Sequence, residues 1–151
     1  MSKPLAIVSD IDGTLAVRTH ERPDPYAMEL VGLDAPNQPI VDLLKILRYN
    51  YSAQVILVTA RENIDFHGTN TYDETAKWLN RYGIPWDVML MRAAKDYRND
   101  AELKREFYVK HIEPYYDVKY VLDDRDSDEA PVVRMWRSLG LTCLAVADGQ
   151  F

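Results

Sequence analysis

An apolar run, Leu5 to Val8, leads into Ser9-Asp10-Ile11-Asp12-Gly13-Thr14. Pro4 before the run and Gly13 after it mark a short buried strand closed by a turn. If strand geometry persists to residue 12, alternation sends Asp10 and Asp12 the same way and Ile11 the other. Two carboxylates so placed repel each other and are costly to desolvate. They suit a bound cation, or a reaction in which one attacks and the other moves protons. The plainer reading is a solvated strand end. Three further stretches bear on the choice. Val58-Thr59-Ala60-Arg61 sets a hydroxyl and a cation after a second apolar run, and Val121-Leu122-Asp123-Asp124 ends another run in a second acidic pair. Asp100 precedes a helical pattern that carries Lys104. Taken singly, Thr59 reads as a strand-end cap, Asp123-Asp124 as helix-capping residues and Lys104 as a solvated helix lysine. Their coincidence at strand ends is what those readings leave unexplained.

The elements that must position these residues alternate along the chain. Strands are expected at Leu5–Ser9, Gln54–Thr59, Asp87–Met91, Lys119–Leu122 and Thr142–Val146. Helical spacing links Ile40, Leu43, Leu44 and Leu47, then Tyr72, Ala76 and Leu79 in a helix stopped by Gly83 and Pro85. A third helix carries Leu103, Phe107 and His111 or Ile112, and ends before Pro114. A fourth carries Val132, Val133, Trp136 and Leu139, with Pro131 in its first turn and Gly140 at its cap. Alternation of this kind predicts an α/β fold, a parallel sheet with helices on both faces. Ligands then bind at the carboxyl ends of the strands, where the strand order reverses. Leu15 to Gln38, with Pro23, Pro25, Gly32 and Pro36, is the one long irregular stretch and would lie over that edge as a flap.

A chain of 151 residues, 47% hydrophobic and 28% charged, reads as one soluble domain with a real core. No apolar stretch approaches the roughly 18–20 residues of a membrane span, and no signal peptide is evident. Cys143 is the single cysteine, in what reads as a buried strand, so a reducing cytoplasm is expected. The net charge of −6 argues against a broad basic face that coats nucleic acid, though a few local arginines suffice to hold a strand end. His20 and His67 read as surface loop residues, and Trp78, Trp86 and Trp136 as packing residues. Arg92, Lys95 and Arg98 form a basic stretch that fits either a phosphate track or a solvated loop. Tyr115-Tyr116 reads as cover for the sheet edge.

Asp10-Ile11-Asp12-Gly13-Thr14, Thr59, Lys104 and Asp123-Asp124 resemble, in order, the four motifs of the haloacid dehalogenase (HAD) superfamily of phosphotransferases. A closer resemblance is to the 3′-phosphatase domain of phage polynucleotide kinase-phosphatase. It rests on Asp10 to Ala16, Arg22 with Pro-Asp-Pro-Tyr after it, Thr59-Ala60-Arg61-Glu62, Asp100 with Lys104, and Lys110-His111-Ile112. Asp117-Val118-Lys119, Val121 to Arg125, Met135-Trp136-Arg137 and the closing Val146 to Phe151 add to it. The resemblance implies a single three-layer domain over 1–151, with residues 15–38 as a minimal cap. It implies Asp10 as nucleophile, Asp12 as acid and base, and Mg2+ held by Asp10, the Asp12 carbonyl, Asp123 and Asp124. Thr14 and Thr59 would bond phosphoryl oxygens, Lys104 would offset charge with Asp100 orienting it, and Arg22 and Ala60-Arg61 would take the phosphate or adjoining nucleotide. The implied reaction removes a 3′-phosphate from DNA or RNA ends in the cytoplasm of a bacterium or phage-infected host, with a separate kinase or ligase as a possible partner. No Gly-x4-Gly-Lys-Ser/Thr run is present, so kinase activity is not expected. A phosphatase of mononucleotides or small metabolites, a signalling receiver domain and a non-catalytic end-binding module are the alternatives.

Overall fold

The chain order in the computed structural model, which describes residues 2–65 and 67–151, follows that alternation; Met1 and Phe66 of the expected 1–151 unit lie outside the described residues. Strand β1 (Leu5–Ser9) is followed by a two-residue ladder, β2 (Ala16–Val17) with β3 (Ala35–Pro36), and by helix α1 (Gln38–Tyr51). Then come β4 (Gln54–Glu62), α2 (Thr71–Arg81), β5 (Val88–Arg92), α3 (Asp100–Phe107), β6 (Asp117–Asp123), α4 (Val132–Ser138) and β7 (Cys143–Ala145). The five long strands form one parallel sheet in the order β5-β4-β1-β6-β7.

The alternating side chains of β1 divide the core. Ile7 packs on one face with Val41 and Leu44 of α1 and Trp78 and Leu79 of α2. Ala6 and Val8 pack on the other with Ala101 of α3 and Val132, Val133 and Trp136 of α4. Right-handed crossovers require this division, because the chain first steps from β1 through β4 to β5 and then returns across β1 to β6 and β7. The order reverses beside β1, so the carboxyl ends of β1, β4 and β6 border the switch point. A receiver domain has the order 2-1-3-4-5, whereas the first strand here is central, which removes that alternative.

Three local departures from the expected elements matter for the site. Strand β1 stops at Ser9, so Asp10 and Asp12 do not share a strand face. The third helix changes character after Phe107: residues 108–112 form a π turn, with the Glu113 N–H donating to the Tyr108 carbonyl at 2.8 Å. Strand β4 runs past Thr59 to Glu62 through a bulge, since Thr59 opposes Met91 but the next pairing is Glu62 with Arg92. Within the stretch 15–38, residues Met28–Leu33 form a 3-10 helix. Among the described residues no helix is long and apolar enough to cross a membrane.

Candidate functional site

Gly13 sets the shape of the acidic loop. Its φ of +81° is a left-handed conformation that a side chain rarely adopts, and an added Cβ would meet the Asp124 carboxylate, 2.8 Å from its Cγ. Asp124 can therefore lie directly against the β1 loop. Asp10, still tied to β6 by its N–H to the Leu122 carbonyl at 2.9 Å, completes the group. Carboxylate oxygens of Asp10, Asp123 and Asp124 lie within 4.8 Å of one another, all three residues buried. Lys104 Nζ donates to Asp10 Oδ1 at 3.0 Å and to Asp123 Oδ2 at 2.9 Å. Trp136 Nε1 donates to the same Asp123 oxygen at 3.1 Å. Burial pushes the Asp10 carboxyl well above its ordinary range; Lys104 opposes the rise, while Asp123, Asp124 and Asp12 add to it. Burial likewise raises Asp124. Lys104, despite burial, is held firmly protonated by Asp10 and Asp123.

Arg61 owes its place to the β4 bulge, which turns one residue inward where a regular strand would continue its pairing. Its backbone N–H donates to Thr59 Oγ1 at 3.2 Å, and Nη2 and Nε reach both oxygens of Asp12, the shortest contact being 2.6 Å. Nη1 is fixed by Thr75 of α2 at 3.0 Å, and Nη2 also approaches Asp34 Oδ2 at 3.3 Å. Asp34 in turn accepts from Arg22 Nη1 at 2.5 Å, and Trp78 Nε1 donates to the Asp34 carbonyl at 2.8 Å. Burial works against ionisation of Asp12, but the charge and hydrogen bonds of Arg61 prevail and hold its carboxyl below the ordinary value. The Asp12 side chain keeps 23% exposure, whereas Arg61 and Asp34 are enclosed.

The structure thus gathers Asp10, Asp12, Thr14, Thr59, Arg61, Lys104, Asp123 and Asp124, and it shows the partners that the expected residues take within the chain. Thr14, expected to face a phosphoryl group, directs its hydroxyl to Asp124 at 3.1 Å and Asp10 at 3.4 Å, because buried carboxylates require donors. Asp100 does not orient Lys104; it accepts from Arg92 at 2.7 Å and Arg125 at 3.5 Å. Arg22 is fully buried, with Asp34 and the carbonyls of Pro25 and Ala27 as partners, so it organises the flap and reaches Asp12 only at 3.9 Å. Ala60 contributes its carbonyl to Arg92 Nε at 2.9 Å. The basic stretch is structural too: Arg92 also ties down the carbonyls of Asp96 and Arg98, and Arg98 pairs with Asp96 and Glu106. Trp78 and Trp136 are core residues, as read, but both also anchor acidic residues of the site. His20, His67 and Tyr115 are exposed, and the buried Cys143 thiol is pushed up to about 12 by burial first and Asp123 second. Asp34, Thr75 and the indole of Trp136 were not expected at the site. A lone Asp before Ala-Pro in an irregular stretch carries no periodic signal; only the need of two buried arginines for a counter-charge points to it.

The donor set fits a hard divalent cation. Asp10, Asp123 and Asp124 offer oxygens only, the kind such an ion takes. Five carboxylates (Asp10, Asp12, Asp34, Asp123, Asp124) face three cations (Arg22, Arg61, Lys104), an excess of two negative charges.

Known proteins resemble this chain in sequence and in fold. A protein of Autographa californica nuclear polyhedrosis virus, assigned as a bifunctional polynucleotide kinase/RNA ligase, is 28% identical over 137 residues, 90% of this chain and 18% of that protein. Two solved structures of Pnkp1/Rnl/Hen1 complexes, one described as an RNA repair complex, contain chains 35% and 36% identical to this one, with TM-scores of 0.84 and 0.85. Each match covers 99% of this chain and 44% or 48% of the other, so the chain spans less than half the length of these relatives. A HAD-like phosphatase structure from Mesorhizobium loti, 14% identical with a TM-score of 0.52 over 83% of this chain and 65% of the other, shares the fold. With residues 4–151 matching the HAD-type phosphatase domain of the polynucleotide kinase PNKP, the chain belongs to that family.

Proposed function

We propose that this chain is a Mg2+-dependent phosphatase that removes the 3′-phosphate from nucleic-acid ends through an aspartyl-phosphate on Asp10. The observation that carries the reading is the buried Asp10–Lys104–Asp123–Asp124 cluster at the strand-order switch, adjoining an Asp12 held by Arg61. A carboxylate of Asp10 attacks phosphorus while the bond to the sugar 3′-oxygen breaks, and Asp12 supplies the proton that oxygen needs. Water then attacks the phosphorus of the aspartyl-phosphate while its bond to the Asp10 oxygen breaks. Asp12 takes the water's proton, and inorganic phosphate leaves with the Asp10 carboxylate restored. Lys104 stabilises the charge that builds between Asp10 and the phosphoryl group. Asp10, the Asp12 carbonyl, Asp123 and Asp124 would hold Mg2+, which would supply positive charge to screen the nucleophile from the phosphate.

Asp12 must carry a proton for the first step, yet Arg61 holds it ionised. An incoming phosphate competes for the same guanidinium donors. As Arg61 turns to it, the Asp12 carboxyl loses its counter-charge and faces the phosphate's negative charge. Its proton affinity then rises above the ordinary value, and it takes a proton from solvent. Thr59, whose hydroxyl oxygen accepts from the Arg61 backbone, keeps its proton to give to a phosphoryl oxygen. The RNA repair complexes among the relatives support RNA ends as substrates and a separate ligase chain as a partner.

The test is phosphate release in Mg2+ from 3′-phosphorylated RNA and DNA oligonucleotides, 5′-phosphorylated ones and mononucleotides. The 3′-phosphorylated ends should be turned over best, and Asp10→Asn should abolish turnover in a folded protein. Mononucleotides as the best substrates would overturn the end-repair reading, and residual turnover by Asp10→Asn would overturn the nucleophile.

A further inference from the structure

The segment after β7 packs against the Asp123-Asp124 end of β6 without supplying any of the groups used above. The Val146 N–H donates to the Asp123 carbonyl at 3.0 Å, and Gly149 (φ +82°) passes so close to Asp124 that an added Cβ would lie 3.1 Å from its carbonyl oxygen. Pinned in this way, the segment brings the Phe151 ring to the flap, 5.3 Å from the guanidinium carbon of Arg18 and 5.6 Å from that of Arg22. Between flap and segment lies a cavity of about 490 Å3, bordered by Gly13, Arg18, His20, Asn37, Gln150 and Phe151.

We propose that this cavity receives the 3′-terminal nucleoside of the phosphorylated strand, with the Phe151 ring as its stacking face. The inference rests on the nucleic-acid-end reading above and specifies how the end is held. Position comes first. Gly13 belongs to the loop that carries Asp10, so the cavity adjoins the site of attack, and the sugar 3′-oxygen is one bond from the reacting phosphorus. The larger cavity, about 650 Å3 beside Lys45, Arg48, Tyr49 and Gly83, lies at the opposite edge of the sheet and cannot hold a group joined to that phosphate. Chemistry comes second. An aromatic face beside a guanidinium, an imidazole and two carboxamides suits a flat heteroaromatic base with a polar rim. Arg18 hydrogen-bonds to the carbonyls of Arg22 and Pro23, its buried Nε has no hydrogen-bond partner, and no carboxylate pairs with it among the described residues. Among those residues no carboxylate therefore neutralises its charge, which lies over the Phe151 ring where a polyanionic strand would run.

The experiment compares kcat/KM for a 3′-phosphorylated oligonucleotide with a complete terminal nucleotide and for one whose terminal residue is abasic. Wild-type protein should prefer the complete end by on the order of tenfold or more, the range of base–aromatic stacking. Phe151→Ala should bring that ratio close to one, mainly through KM, and Phe151→Trp should keep it. Equal use of both ends by the wild type overturns the cavity assignment while leaving the nucleic-acid reading intact, and it does so even if Phe151→Ala fails to fold. An undiminished preference in Phe151→Ala overturns Phe151 as the stacking face. Wild-type protein that hydrolyses p-nitrophenyl phosphate but neither oligonucleotide overturns the nucleic-acid reading, and the cavity assignment falls with it.

Discussion

Asp34→Asn is the sharpest test of the buried ion network, because it removes one charge and almost no volume. Asp34 Oδ2 lies 2.5 Å from Arg22 Nη1 and 3.3 Å from Arg61 Nη2, and both residues facing it are enclosed, at 0% and 1% side-chain exposure. Asp12 and Asp34 together neutralise Arg22 and Arg61, so the amide leaves one uncompensated positive charge in a buried site. Removing one partner of a buried ion pair costs about 3–5 kcal/mol. The lower end applies, because the amide carbonyl still accepts from Arg22 and its NH2 can take the place of Oδ1, which has no partner to lose. At about 2–4 °C per kcal/mol for a chain of this size, a loss of about 3 kcal/mol lowers Tm by roughly 6–12 °C. Thermal unfolding followed by circular dichroism reads this directly. Inorganic phosphate, which restores a negative charge beside Arg61, should recover more of the melting temperature in Asp34→Asn than it adds to the wild type. A fall below about 2 °C, or equal protection of both proteins by phosphate, would refute the account of Asp34 as the counter-charge that holds both arginines.

Gly13→Ala should leave a folded chain whose metal affinity is reduced about 10–100-fold, since the new Cβ must displace the Asp124 carboxylate; a metal titration with wild-type affinity would contradict it. Magnesium at 100 times its Kd should stabilise the wild type by about 2.7 kcal/mol, while Asp124→Asn should lose most of that shift in a thermal melt. The pH dependence of the metal-free protein has a definite sign. Asp10 is held above its unfolded value of about 3.9, so its favourable contribution is complete below that value and is lost as pH rises through the raised folded one. Metal-free Asp10→Asn should therefore gain on the wild type in melting temperature as pH rises above about 4, and parallel curves there would contradict the electrostatic argument. Asp12, held low by Arg61, has the opposite sign, and its contribution is lost as pH falls through its depressed folded value.

The strands and helices were legible because each has a strong period or a strong stop. What the sequence hid were the places where the backbone leaves its period. Arg61 read as two residues past a strand end, but it sits within a bulge whose register shift only the pairing with β5 reveals. Asp10 and Asp12 were expected on one strand face; the strand ends at Ser9, and the two carboxylates go to different partners, Lys104 and Arg61. Lys104 alone looked like a surface lysine. Its neighbours Ala101 and Tyr108, three residues before and four after, are buried on the same helical stripe, so the lysine stands in a core position and must find carboxylates there. Family resemblance drew Arg22 toward the phosphate; in the structure it is fully buried, and its partners are Asp34 and two flap carbonyls.

The two carboxylates of the first loop divide the site into halves of different charge. Around Asp12, two aspartates and two arginines cancel, and that balance holds the Asp12 carboxyl low and lets Arg61 exchange one anion for another at little electrostatic cost. Around Asp10, three aspartates face a single lysine, and the whole excess of two negative charges falls there; burial raises Asp10 and Asp124, and the neighbouring Asp123 carboxylate adds to both. A phosphate dianion can approach the first half as a substitute for Asp12. It can approach the second only after a divalent charge has offset the excess. On the proposed mechanism the same loop therefore assigns unlike tasks to residues two positions apart: the carboxylate in the negative half would be the one a cation prepares for attack, and the one in the balanced half would change its proton when its arginine turns away.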